Sequence, residues 1–306
     1  MANSSVLQSN MFQLFLTNTT GNYIFFTLLF LTTVCLFFFM YFIAVMLSIF
    51  FTSPHLRENA RYILFVYMLV NDMLYLLLGL TLMLGVIYFV YIPVPICYIL
   101  YTASSMAFRV TPPTLAAMAL EKYIAICHPL QYPVLCTPQK ANVAFTIICT
   151  VQVIPYAAEL CLMSSSFTNI FNINVICRKE SLIVNPLQNV LRYLVLVLSF
   201  VSVAIVILFT YIKITMVAHR VSSQSSSATK ARKTILLHAF QLLLCMTSLL
   251  SILTEGIPTS QFVHLTLFNF LAFTCVPRFL SPIIYGIRDE YLRKLLKKSL
   301  TRDLKL

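Results

Sequence analysis

Seven apolar runs, uncharged or nearly so, divide the chain at residues 23–51, 60–88, 96–127, 139–163, 187–217, 230–253 and 261–287. A hydrocarbon layer about 30 Å thick takes roughly 20 apolar residues as a helix, so each run is predicted to be a membrane-crossing α-helix. The first exceeds what the layer needs and should tilt or protrude. His55, Arg57 and Arg61 follow it, Pro93 and Pro95 mark a turn after the second run, and Pro133 and Pro138 bracket a loop after the third. Residues 164–185 make the longest loop, and residues 219–233, rich in serine and basic residues, make another. After the last run, Leu292, Leu295, Leu296 and Leu300 share one helical face against Arg293, Lys294, Lys297 and Lys298. That pattern predicts an amphipathic helix lying on an anionic leaflet.

The expected fold class is an all-α membrane protein, a seven-transmembrane helix bundle with a C-terminal amphipathic helix. Residues 1–22 would be an extracellular head, 23–287 the bundle, and 288–306 a cytoplasmic helix and tail. Composition agrees: of 306 residues 60% are hydrophobic and only 10% charged, more apolar surface than a soluble core absorbs. No cleavable signal is expected, because the head has no Lys or Arg and no isolated apolar segment followed by a cleavage site.

The net charge of +12 invites a nucleic-acid partner until its distribution is read. Sixteen of the 21 Lys and Arg fall after the first, third and fifth runs or in the tail, three lie on the other side, and Arg109 and Arg278 lie within runs. The positive-inside rule then puts the N-terminus outside and the tail in the cytosol, and makes the bilayer, not nucleic acid, the partner of the charge. Sequons at Asn3 and Asn18 require the same orientation. Of nine cysteines, Cys35, Cys149, Cys245 and Cys275 lie inside apolar runs, where a thiol behaves as a small hydrophobe, and no metal-ligand cluster is expected.

Where the third run meets water the chain reads MALEKYIAICHPLQY (118–132), with Glu121 and Lys122 after an uncharged stretch and Pro129 ending the helix. The seventh run ends in PRFLSPIIYGIRDEYLRKLL (277–296), and KARKTILLHAFQLLLC occupies 230–245. Together these strings resemble rhodopsin-like (class A) G protein-coupled receptors, specifically the odorant receptors, and most of all those of teleost fish. The resemblance covers the chain from the first helix to the tail. It departs from the family in lacking Trp, in lacking the usual Asn of the first helix, and in placing Lys122 where the family usually has arginine.

The resemblance implies a disulfide between Cys97 and Cys177, which pins the outer loop over the helices as a lid. It implies an activation switch and G protein contact at Glu121, Lys122, Tyr123, Tyr211, Pro282 and Tyr285. The family's arginine rests against its acidic neighbour, and lysine keeps the charge but loses the planar fork. Pro282 frees a backbone carbonyl and lets Tyr285 swing. The family also uses the acid at Asp72 to bind sodium or bridge to the seventh helix, with Ser281 and Tyr285 as partners. Only Thr111 is offered by the third helix, so any sodium binding there should be weak; no other cofactor is expected.

Arg109 lies 12 residues past Cys97, about 18 Å down the helix. Ser104, Ser105 and Phe108 share much of its side, and this group is the candidate ligand site. Pro112 and Pro113 below it should bend the helix. A buried guanidinium needs an anion, which either a ligand supplies or Asp72, Glu159 or Glu255 does. The resulting functional expectation is an odorant receptor that binds a small-molecule odorant in the bundle and activates a heterotrimeric G protein of the stimulatory, olfactory type at the plasma membrane, raising cyclic AMP. A non-olfactory receptor of the same class is the alternative. A transporter should show inverted repeats, of which none is apparent. An intramembrane enzyme should show a metal-binding or Ser/Lys/Asp constellation, and none has defensible spacing.

Overall fold

The computed structural model describes residues 19–166, 173–183, 186–221 and 267–303, with 240 and 243 besides. Five long helices come first: α1 Thr19–Thr52, α2 Ala60–Ile87, α3 Val94–Cys127, α4 Pro138–Ser166 and α5 Pro186–Val221. They agree with the first five apolar runs to within four residues at each end. Single helical turns at Pro54–Arg57 and Tyr132–Leu135 bridge α1 to α2 and α3 to α4. The sixth run, 230–253, lies outside the described residues. The seventh is described from Leu267 on, through a π-helical stretch Phe270–Cys275 into α6, Val276–Arg288. A final helix, α7, covers Glu290–Asp303, and the Asp289 carboxylate caps it by accepting from the Tyr291 and Leu292 amides.

Among the described residues five helical stretches are long and apolar enough to cross a membrane: Phe25–Thr52, Ala60–Ile87, Pro138–Cys161, Leu187–Val217 and Leu267–Ile284. The outward faces explain why. Phe30, Phe37, Leu198 and Ile205 are all mostly exposed, an arrangement that water penalises and lipid does not. Helix α3 falls outside that group although its 34 residues are ample, because it carries Arg109, Glu121 and Lys122, all three buried. It is the protein-facing helix of its unit. It runs uninterrupted through Pro112 and Pro113, which have no N–H to donate to the carbonyls one turn before them.

The described chain falls into two compact units. One is Met46–His238, in which α3 packs against α2, α5 and α4 in decreasing extent. Its one sheet among the described residues pairs two short antiparallel strands, β1 Tyr91–Pro93 and β2 Asn174–Ile176, which the apolar pattern did not predict. Phe89, with φ of 53°, makes the left-handed turn from α2 into β1 that glycine usually makes. The other unit combines Met1–Val45 with Ala239–Leu306, and there Phe38 and Phe39 of α1 meet Phe279 of α6 at ring-centroid distances of 6.5 and 6.0 Å.

Candidate functional site

Helix α3 begins at a covalent anchor. Cys97, in its first turn, is disulfide-bonded to Cys177, just past β2. Pairing of Tyr91 with Ile176, Ile92 with Val175 and Pro93 with Asn174 fixes the register beside the bond. Val94, Tyr98 and Leu182 close an apolar cluster around the two sulfurs. The outer loop is thereby held against the end of α3 by a bond, a two-strand ladder and a small core at once.

Below this anchor Tyr98, Tyr101, Ser105 and Arg109 recur every three or four residues and so lie on one side of α3. Tyr98 donates its hydroxyl to the carbonyl of Tyr156 on α4, 2.7 Å away. The Arg109 guanidinium lies over the Tyr156 ring, 5.1 Å from its centre, close enough for a cation–π attraction. One helical turn along α4, Glu159 accepts from Nε of Arg192 on α5 at 2.8 Å, and the Arg192 guanidinium covers the Tyr101 ring at 5.4 Å. Arg109 and Arg192 are each 5% exposed and Glu159 is fully buried. Among the described residues Nη1 of Arg109, both Nη atoms of Arg192 and Oε2 of Glu159 have no hydrogen-bond partner.

Of the residues expected around a ligand, Ser104 is buried, Ser105 lies on the Arg109 side of α3, and Phe108 packs between Tyr75 (5.7 Å) and Phe200 (6.2 Å). Arg109 pairs with no carboxylate among the described residues. Glu159 is engaged by Arg192, Asp72 accepts from Thr111, and Glu255 lies outside the described residues. Arg192, one of the three basic residues that the charge distribution assigns to the outer side, lies inside α5 and engages α4, and the signal that could have found it was an acid and a base at matching heights in adjacent apolar runs.

Asp72 is buried at the level of the two prolines. Thr111 donates to its Oδ1 at 2.7 Å, and Asn71 donates to the Thr111 hydroxyl at 3.1 Å and to the carbonyl of Ala107 at 2.7 Å. Asn71 was not singled out from the sequence. The side chains of Ser281 and Tyr285, both on α6, lie outside the described residues, while Pro282 between them is buried.

At the far end of α3 a second charged group forms. Glu121, 4% exposed, accepts from Arg61 at the start of α2 through both oxygens, Nε to Oε2 at 3.1 Å and Nη2 to Oε1 at 3.3 Å. The Tyr132 hydroxyl in the following turn donates to Oε1 at 2.6 Å. Burial, and then the carboxylate it donates to, push the Tyr132 phenol well above its ordinary range, so it stays a donor. Lys122 is buried, not snorkelling to water. Tyr123 meets His128 Nε2 at 3.1 Å and its ring meets that of Phe209 at 5.7 Å, whereas Tyr211 is exposed. Arg61 and Tyr132 are the functional neighbours that sequence reasoning missed. Asn3 and Asn18 lie outside the described residues.

Comparison with known proteins completes the picture. Residues 43–285 match the family described as 7 transmembrane receptor (rhodopsin family). The chain is 32% identical over 216 residues to Odorant receptor 131-2 of Danio rerio, a match covering 69% of this chain and 66% of that protein. It is 28% identical over 188 residues to Olfactory receptor-like protein OLF4 of Canis lupus familiaris, covering 58% and 60%, and 25% identical over 201 residues to human Olfactory receptor 56A1, covering 62% of each. The chain thus spans somewhat less than two thirds of the length of these relatives. With more than half of its length matched to a family of multi-pass membrane receptors, the chain belongs to the rhodopsin family of seven-transmembrane receptors.

Proposed function

We propose that this receptor is an odorant receptor: a small molecule enters the helix bundle at the disulfide end of α3, and its binding shifts the population toward a state whose opposite face activates a heterotrimeric G protein of the stimulatory, olfactory type. The observation that carries the reading is the similarity to proteins named for odorants, joined to a buried, aromatic-lined charged group at Ser104, Ser105, Phe108 and Arg109. Glu121, Lys122, Tyr123 and Tyr211 form the coupling face of their unit, and Pro282 and Tyr285 on α6 act as a switch in the other. Asp72 in the first unit and Ser281 in the second are polar core positions.

In this reading seven helices cross the plasma membrane with the N-terminus outside and glycans on Asn3 and Asn18. The tail is cytosolic. Helix α7 supports a place on the inner leaflet, since Leu292 is buried while Arg293, Lys294, Lys297 and Lys298 are exposed. The test is a cyclic AMP assay in cells displaying the receptor, challenged with acidic, amine and neutral odorants. A dose-dependent rise supports the reading. Silence toward every odorant at full surface display, with a cyclic AMP rise to a non-odorant small ligand, would transfer it to the non-olfactory alternative.

A further inference from the structure

We infer that Arg109 and Arg192 together receive an anionic ligand, a small organic acid whose carboxylate binds in the protein-lined cluster they form with Tyr101, Ser105, Tyr156 and Glu159. The inference rests on the receptor reading above and names its ligand class. Its first support is charge. Arg109 and Arg192, each 5% exposed, share the cluster with the single carboxylate of Glu159, which Arg192 engages, so the cluster carries one positive charge more than it balances among the described residues. Arginine does not shed its proton to relieve this, because its pKa lies too high.

The second support is donor count. Glu159 engages only Nε of Arg192, which leaves the two Nη atoms of Arg192 and Nη1 of Arg109 unspent in a buried setting. Planar N–H pairs of this kind fit a carboxylate through two parallel hydrogen bonds. The third is convergence. Tyr156 lies under the Arg109 guanidinium, Tyr101 under that of Arg192, and Tyr156 and Glu159, which Arg192 engages, sit one turn apart on α4. Contact with a ring on a neighbouring helix keeps each guanidinium buried among α3, α4 and α5 and not turned to lipid. Glu159 then tunes the site: it holds Arg192 in place and, as a like charge, weakens the incoming acid.

The experiment uses intact receptor with straight-chain and aryl carboxylates, hexanoate, octanoate and phenylacetate among them, each paired with its methyl ester. Two readouts run in parallel, cyclic AMP in cells and the melting temperature of receptor in detergent. We expect at least one acid to activate the receptor and raise its melting temperature, with its ester at least tenfold weaker. Arg109→Gln and Arg192→Gln should each lose at least tenfold in sensitivity to that acid. Arg192→Lys, which keeps the charge and guards against misfolding, should lose less than Arg192→Gln. Glu159→Gln should respond to lower acid concentrations than the unaltered receptor. Activation by esters or amines with no response to acids overturns the anion site and leaves the odorant reading standing. No cyclic AMP response to any odorant, with acid-specific thermal stabilisation, keeps the site and overturns the odorant reading. No acid effect in either readout overturns the site. An acid effect that appears only in Glu255→Gln would place the counter-charge within the chain, and overturns it as well.

Discussion

Helix α3 carries one charged cluster at the end away from the disulfide and another between the disulfide and its middle, and the two are built from the same chemistry with opposite accounting. At the end away from the disulfide, Arg61 and Tyr132 bring three hydrogen bonds to the two oxygens of one buried carboxylate, Glu121. On the disulfide side, one of two guanidiniums engages the single carboxylate, and three of their nitrogens go unused among the described residues. A satisfied cluster resists rearrangement, because any movement that parts α3 from the start of α2 strands a buried charge. An unsatisfied one carries a standing cost that an arriving anion removes. Charge count and donor count, more than residue type, separate a restraint from a receiving site. The far cluster also offers a way round the missing family arginine: the acid at Glu121 is restrained by a residue of α2 instead of by its own neighbour.

The comparison breaks most sharply at the buried pair. Glu159→Ala, leaving the buried Arg192 without its carboxylate, should cost about 3–5 kcal/mol, read as a lower melting temperature and reduced surface display. The double change Glu159→Leu with Arg192→Met should recover most of that loss while remaining insensitive to acids. Full stability in Glu159→Ala would show that the pair contributes nothing. Cys97→Ser comes next. A closed loop of this size is worth at most about 4–5 kcal/mol in the chain-entropy model, and less here because the membrane already confines the unfolded chain. Reductant should lower the melting temperature of the native receptor and leave that of Cys97→Ser unchanged.

At the opposite end the effects are smaller and fall on signalling. Glu121→Gln weakens hydrogen bonds to a charged acceptor, nominally about 1.5–3 kcal/mol but less here because Arg61 is 31% exposed. Tyr132→Phe removes one bond, roughly 1 kcal/mol. Both should raise ligand-free cyclic AMP, Glu121→Gln more; unchanged basal signalling in both would remove the restraint from α2. Because the folded phenol titrates above its unfolded value of about 10, the Tyr132 contribution is complete below that pH and fades only as pH rises through the folded value. Basal signalling of Tyr132→Phe relative to the native receptor should therefore not vary between about pH 6 and 8. Smallest of all is Lys122→Arg, which should lower ligand-free signalling by restoring the planar fork; no change would mean that Arg61 already carries the restraint.

The long helices were legible because apolar length and proline punctuation are local. Pro129 ends α3 close to where the uncharged run stops, and α4 and α5 start within a residue of the expected positions. The disulfide partners were legible only through resemblance, and the strand pair beside them was not legible at all. Three residues on each strand carry no period, and their register follows from the bond and from the turn at Phe89. Arg109 stood out as a charge in an apolar run, but its neighbours did not. Tyr156 reads as one aromatic among 16 tyrosines, and Arg192 as one more loop charge.

What the sequence by itself determined is the solvent and the span pattern, since each helix satisfies its own backbone and its apolar length answers to the thickness of the lipid, one segment at a time. What only the tertiary structure decided is which charge meets which. Arg192 meets Glu159, and Arg61 rather than Lys122 grips Glu121, because the height and rotation of neighbouring helices are set by packing among residues far apart in the chain.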